Sequence, residues 1–146
     1  MISGAQGSGK EQLAAKIVRM LNGSGESGGM DLFGEPVVEE VPPLDELENS
    51  WVRILRPRMK SRRIGIDEIR NLEETLHLAA PAGTYKVGVI VDADRMSDQA
   101  SNAFLKTLEE PPSRTHVILA AAEDSRLMPG MSRESSAAAR ITWVRD

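Results

Sequence analysis

Seven residues near the start of the chain, Gly4-Ala5-Gln6-Gly7-Ser8-Gly9-Lys10, constrain its fold more than any other segment. Glycines at this spacing let consecutive backbone N–H groups turn inward, and a helix starting at once behind them adds positive potential at its N-terminus. A lysine closing the run reaches the terminal phosphates of a polyphosphate. The helix is present in the pattern: Leu13, Ile17 and Leu21 fall four apart, with Ala14 and Val18 alongside. Met1 to Ser3 supplies a short apolar lead-in, which reads as a truncated first strand. Strand, glycine loop and helix in this order open a parallel sheet. Gly4, Gly7, Ser8, Gly9 and Lys10 are therefore the candidate phosphate-cradling residues.

The rest of the chain repeats the alternation. Trp51 to Leu55 reads as a strand closed by Pro57, and Ile66 opens a helix with Asp67 capping its first turn and Ile69, Leu72 and Leu76 as its buried stripe. Pro81-Ala82-Gly83 stops that helix. Tyr85 to Val91 is a strand covered on both faces. Ser97 caps the next helix, whose Ala100, Phe104 and Leu108 share a face, and Pro111-Pro112 ends it. His116 to Ala122 and Arg140 to Val144 are the remaining strands. The pattern predicts one α/β domain over residues 1–146, with a parallel sheet flanked by helices on both sides. Residues 23–50 read as an acidic Gly/Pro-rich surface insertion with little regular structure.

The loop lacks its metal partners. In the pattern, the residue after the lysine is a Ser or Thr whose hydroxyl coordinates Mg²⁺. Here it is Glu11. At about 4 Å and an effective dielectric near 20, a carboxylate and a phosphate charge repel by roughly 4 kcal/mol. A second metal-orienting Asp, followed by a water-activating Glu, belongs at the end of a buried strand. Counting from Lys86 places Val91 at the first position and Asp92 at the second.

Composition narrows the chemistry further. The chain has no cysteine, so disulfides, thiolate zinc sites and a cysteine nucleophile are all excluded. His77 and His116 are too few and too far apart to suggest a metal cluster. Asp92 and Asp94 at a strand end, and Glu109-Glu110 at a helix end, do not read as a hydrolytic dyad. No apolar run has the length of a membrane span and no leader pattern opens the chain, which points to a cytoplasmic protein with no membrane partner. Charge is laid out in blocks. Eight acids and no base lie between Glu26 and Glu48, and six bases and no acid between Arg53 and Arg63. The basic block is open to two readings: a surface for phosphates or an acidic partner, or a solvated face beside an acidic loop.

The middle of the chain resembles a known family. Lys60-Ser61-Arg62-Arg63-Ile64-Gly65-Ile66-Asp67-Glu68-Ile69-Arg70, then Tyr85-Lys86-Val87, then Asp92-Ala93-Asp94-Arg95-Met96, then Asn102-Ala103-Phe104-Leu105-Lys106-Thr107-Leu108-Glu109-Glu110-Pro111-Pro112 resemble subunits of the bacterial DNA polymerase III clamp loader. The last stretch is close to the family's NALLKTLEEPP run, and order and spacing agree from Gly4 to about Pro129. The lead-in around Lys60 looks more like delta-prime than the gamma/tau motor subunits.

The resemblance implies a P-loop NTPase domain of the AAA+ type. It also implies a DNA replication role in a five-subunit ring with gamma/tau and delta partners, a sliding clamp and primer–template DNA. Delta-prime subunits of such rings often carry a degenerate site and act as a rigid stator, a role that suits Glu11 and Val91. Sensor-1 is replaced by Ala121-Ala122-Glu123, where a small polar residue and Asn are usual. The family's Ser-Arg-Cys finger falls on Arg133-Glu134-Ser135 without a gap, which puts Glu134 at the finger position; one residue back it falls on Ser132-Arg133-Glu134, which makes Arg133 the candidate arginine finger. The zinc module of many relatives is absent with the cysteines, and the expectation is a chain without the lid and collar domains that the resemblance would place next. The expectation is a non-hydrolysing subunit without zinc, binding ATP and Mg²⁺ only if the altered loop is tolerated. The alternatives are an ATP-hydrolysing gamma/tau-type subunit, or a truncated paralogue gripping nucleic acid through Arg56, Arg58 and Arg62.

Overall fold

The computed structural model describes residues 2–3, 9–23, 41–57 and 62–121. Within them, four strands and three helices alternate: β1 (Ile2–Ser3), α1 (Lys10–Asn22), β2 (Val52–Leu55), α2 (Ile66–His77), β3 (Lys86–Val91), α3 (Asp98–Glu109) and β4 (Thr115–Ala121). The strands form one parallel sheet in the order β1-β4-β3-β2. Each crossover carries a helix, so side chains cover both faces, and the central strands are apolar after their opening Lys86 and Thr115-His116. All six residues of β3 are buried.

One face packs under α1. Val87, Val89 and Val91 of β3 join Ile118 and Ala120 of β4 and Val52 of β2 against Ala14, Ala15 and Val18. The expected stripe of Leu13, Ile17 and Leu21 lies to the side, only partly buried. Alanines at the line of closest approach let the helix backbone sit down on the sheet, and the larger residues wedge in at its flanks. The other face packs under α2 and α3 through Ile90, Val117 and Leu119 with Ile69, Leu72, Leu76, Ala100, Phe104 and Leu108. The two helices are tied to each other by a hydrogen bond from the buried Thr107 hydroxyl to the Glu73 carboxylate.

The ends of the elements follow local chemistry. Ser97 caps α3, its Oγ accepting from the Ala100 N–H at 3.2 Å. In α2 the capping position lies two residues ahead of Asp67: Gly65 precedes the helix, and its N–H donates to the Glu68 carboxylate at 3.1 Å. Asp67 is exposed. The helix ends at His77, ahead of Pro81, with the His77 Nδ1 donating to the Glu73 carbonyl at 2.8 Å. Part of the expected insertion is structured. Leu44–Leu47 forms a 3₁₀ turn, and Leu44 is buried beside α1 and β2. The strand expected from Arg140 to Val144 lies outside the described residues.

Lys86 opens β3 with 4% of its surface exposed. Desolvation, aided by the nearby Arg114 charge, pushes its pKa below the ordinary lysine range. A folded-state pKa below the unfolded one means that the folded chain binds fewer protons, so stability rises as pH climbs toward the ordinary lysine pKa. Lys86→Met keeps the volume and removes the desolvated charge. It should raise stability by about 0.5–1 kcal/mol at neutral pH, read from the urea midpoint. The gain should shrink as pH rises through that window.

Candidate functional site

In a parallel α/β sheet, ligands meet the carboxyl ends of the strands. The register brings Ser3, Ala121, Val91 and Leu55 to one edge of this sheet. The residues that follow those strands include the motif candidates, together with Arg56, which the sequence singled out only as part of the basic run.

Lys10 and Glu11 begin α1 directly behind Gly9, whose positive φ of 77° is the left-handed conformation that glycine adopts without strain. Gly4, Gly7 and Ser8 lie outside the described residues. Glu11 is not an isolated carboxylate. It is gripped bidentately by Arg56, with Nη2 at 2.6 Å from Oε2 and Nη1 at 3.1 Å from Oε1. The other side of the same guanidinium holds Asp45, from Nε at 2.9 Å and from Nη2 at 3.3 Å. Arg56 follows β2, Glu11 starts α1 and Asp45 belongs to the 3₁₀ turn, so three separate segments meet at one cation.

The hydrogen bond to Glu11 raises the Arg56 pKa above its ordinary value, against a smaller opposing effect of burial and with further help from Asp45. All three side chains are at least 36% exposed. Each pairing therefore contributes about 0.2–1 kcal/mol, toward the top of that range for the bidentate one. Two carboxylates against one guanidinium leave one net negative charge beside the start of α1. The pairing with Arg56 offsets much of the repulsion that Glu11 alone would exert on a phosphate, and Asp45 restores it.

At the end of β3, Val91 is turned into the core under α1 with 5% of its surface exposed. An apolar side chain occupies the place where a metal-orienting carboxylate belongs in the family pattern. Asp92 follows in the left-handed region, φ 51°, which Asp adopts more readily than most residues. Its carboxylate lies 3.9 Å from the Arg95 guanidinium. Ala121 ends β4 fully buried, and Ala122, Glu123 and Arg133 lie outside the described residues.

The remaining candidates separate in space. α3 starts beyond the carboxyl end of β3 and finishes before the amino end of β4, which puts Glu109 and Glu110 at the opposite sheet edge from Asp92. No acid–base pair forms between them. His116 stacks edge-on with Tyr85, ring centroids 5.0 Å apart. Among the described residues no group of three or more His, Asp or Glu is placed to hold a metal, and no helix is long and apolar enough to cross a membrane. A cavity of about 430 Å³ between Asn22, Trp51 and Thr84 also sits at the amino edge, away from the loop.

The charge blocks turn out to face each other. Arg53 lies 3.4 Å from Glu48, and Arg56 holds Asp45, so the basic run is partly spent on the acidic one. Arg62 and Arg63 are exposed, while Arg58 and Lys60 lie outside the described residues. Sequence reading named Arg56 only as a candidate nucleic-acid contact and missed its pairing with Glu11 and Asp45. The opposed charge blocks signalled it, but separations of 45 and 11 residues hid which charges meet.

Comparison with known proteins places this arrangement. The family profile described as "DNA polymerase III, delta subunit" matches residues 1–136. The chain is 42% identical to DNA polymerase III subunit delta' of Escherichia coli over 74 residues, 51% of this chain and 22% of that protein. It is 32% identical to DNA polymerase III subunit tau of Bacillus subtilis over 115 residues, 72% of this chain and 20% of that protein. The chain thus matches only about a fifth of the length of these relatives. Among solved structures, a DNA polymerase III gamma subunit-related protein from Thermotoga maritima aligns with a TM-score of 0.51 at 35% identity, over 59% of this chain and 30% of that one. The parallel sheet with its layered helices is the P-loop NTPase domain of clamp-loader subunits, and the chain belongs to the DNA polymerase III delta-subunit family.

Proposed function

We propose that this chain is a delta-prime-type subunit that does not hydrolyse ATP and serves the clamp loader as a stator through contacts with its neighbours. The observation that carries the reading is Glu11. It stands where a hydroxyl would ligate magnesium, and its carboxylate is committed to Arg56. Val91 supports it from the other side of the site, since a buried valine offers no oxygen to a metal. Transfer of a phosphoryl group depends on positioning and on metal charge at the bridging oxygens, and these two positions are the ones that would hold that metal. Its partners in this reading are gamma/tau and delta subunits, with the sliding clamp and primer–template DNA reached through the ring, in the cytoplasm.

The longer match to tau favours a second reading, an ATP-hydrolysing gamma/tau-type subunit that tolerates Glu11. Titration of the chain with ATP separates the two. The stator reading expects a dissociation constant above about 1 mM that magnesium does not improve. Micromolar, magnesium-dependent binding establishes the ATPase reading instead. Retention of the chain by immobilised gamma/tau and delta subunits is the matching assembly result, and failure to be retained sinks the stator role.

A further inference from the structure

The cation that faces Glu11 at the start of α1 is Arg56. In the loop pattern, the side chain after the lysine faces the divalent metal. In this chain that side chain faces a guanidinium 2.6 Å away. A guanidinium fork matches a phosphate in the same bidentate way that it matches a carboxylate. Here its donors are taken on both sides: Nη1 and Nη2 by Glu11, Nε and Nη2 by Asp45. The arginine is also well placed. It directly follows Leu55, the residue of β2 that registers with Ile90 in the core strand, and Pro57 stiffens the chain behind it.

We propose that Arg56 is a latent phosphate ligand held closed by Glu11 and Asp45, so that loss of the Glu11 carboxylate opens a polyphosphate site that needs no divalent metal. The proposal deepens, and rests on, the reading of this site as one that does not turn over ATP. A polyanion arriving at the wild-type chain must displace two carboxylates from one cation and meets a net negative charge while doing so. With Thr at position 11, Asp45 alone remains on the guanidinium, and the Nη1 and Nη2 pair turned toward the start of α1 is released to phosphate oxygens.

The test is calorimetric titration with inorganic triphosphate, without magnesium and at low salt, of the wild-type chain, Glu11→Thr, Glu11→Thr with Arg56→Ala, and Glu11→Thr with Arg53→Ala. The paired residues are exposed, and circular dichroism melts confirm that each variant folds. Glu11→Thr should bind at least about tenfold more tightly than wild type. The gain should vanish with Arg56→Ala and survive Arg53→Ala, which removes an equal charge from the neighbouring Glu48 pair. Binding by Glu11→Thr no tighter than wild type overturns the proposal, as does a gain that survives Arg56→Ala or one that Arg53→Ala abolishes equally. ATP turnover by the wild-type chain within the assembled ring would sink the non-hydrolysing reading instead, and the metal-free titration would still decide the fate of the lock.

Discussion

Phe104→Ala is expected to lower the unfolding free energy by about 3–5 kcal/mol, the largest loss from any single truncation among the described residues. Aromatic residues make up 3% of the sequence, and Phe104 is the only one of them fully buried among the described residues. It lies on α3 in the cluster that joins both helices to the sheet, with Ile64, Ile69, Leu72, Leu76, Ile90 and Val117. Removing the ring takes away its transfer free energy and leaves a cavity, because helices capped at their starts and tied to each other by the Thr107–Glu73 hydrogen bond have little freedom to collapse into it. Domains of this kind are stable by about 5–15 kcal/mol, so the variant would lose roughly a fifth or more of the total. With a urea dependence of about 1–3 kcal/mol per molar, the denaturation midpoint should fall by roughly 2 M. Phe104→Leu is the control. The family run NALLKTLEEPP has leucine at this place, and that swap should cost less than about 1.5 kcal/mol. If Phe104→Ala moved the midpoint no further than Phe104→Leu, the ring would not be the keystone of this layer.

The elements that could be read from the sequence are those in which local and tertiary demands coincide. Ser97 both caps α3 and stands directly before its apolar period, so Ala100, Phe104 and Leu108 were legible as core. β3 announces itself as an apolar run, since a strand covered on both faces needs nothing else. Where the two demands part, the reading drifts. Periodicity finds the apolar side of α1 but not its centre, which is decided by how closely the helix approaches the sheet, and the alanines rather than the leucines sit there. An acidic, proline-rich stretch conceals Leu44 because a single buried leucine makes no pattern. The candidate site divides in the same way. Glu11, Val91 and Asp92 are legible as departures from a motif, but the Glu11–Arg56–Asp45 cluster exists only after β2 has been laid beside β3 and the turn before it folded back on α1.

Gly88→Val should destabilise the chain by about 2–3 kcal/mol by overpacking the layer under α2. Gly88 sits in the middle of β3, paired with Arg53 on one side and Val117 on the other. A Cβ placed there would stand 3.1 Å from Leu72 Cδ1 and 3.5 Å from both terminal carbons of Leu76. The glycine therefore serves close approach of α2 to the sheet. One methyl group demands a few tenths of an ångström from the end of Leu72, so Gly88→Ala should stay within about 1 kcal/mol of wild type. The two further carbons of valine have no such room, because Leu72 and Leu76 are themselves 1% and 0% exposed. The strain also bears on the site, since β3 carries Val91 and Asp92 at its end. The decisive measurement is a double-mutant cycle with Leu72→Ala, which alone should cost about 2–5 kcal/mol. If the two side chains compete for one volume, the double variant should be more stable than the sum of the single losses predicts, by at least about 1 kcal/mol. Strict additivity would show that the valine is resisted elsewhere, and the packing of α2 on β3 would need another explanation.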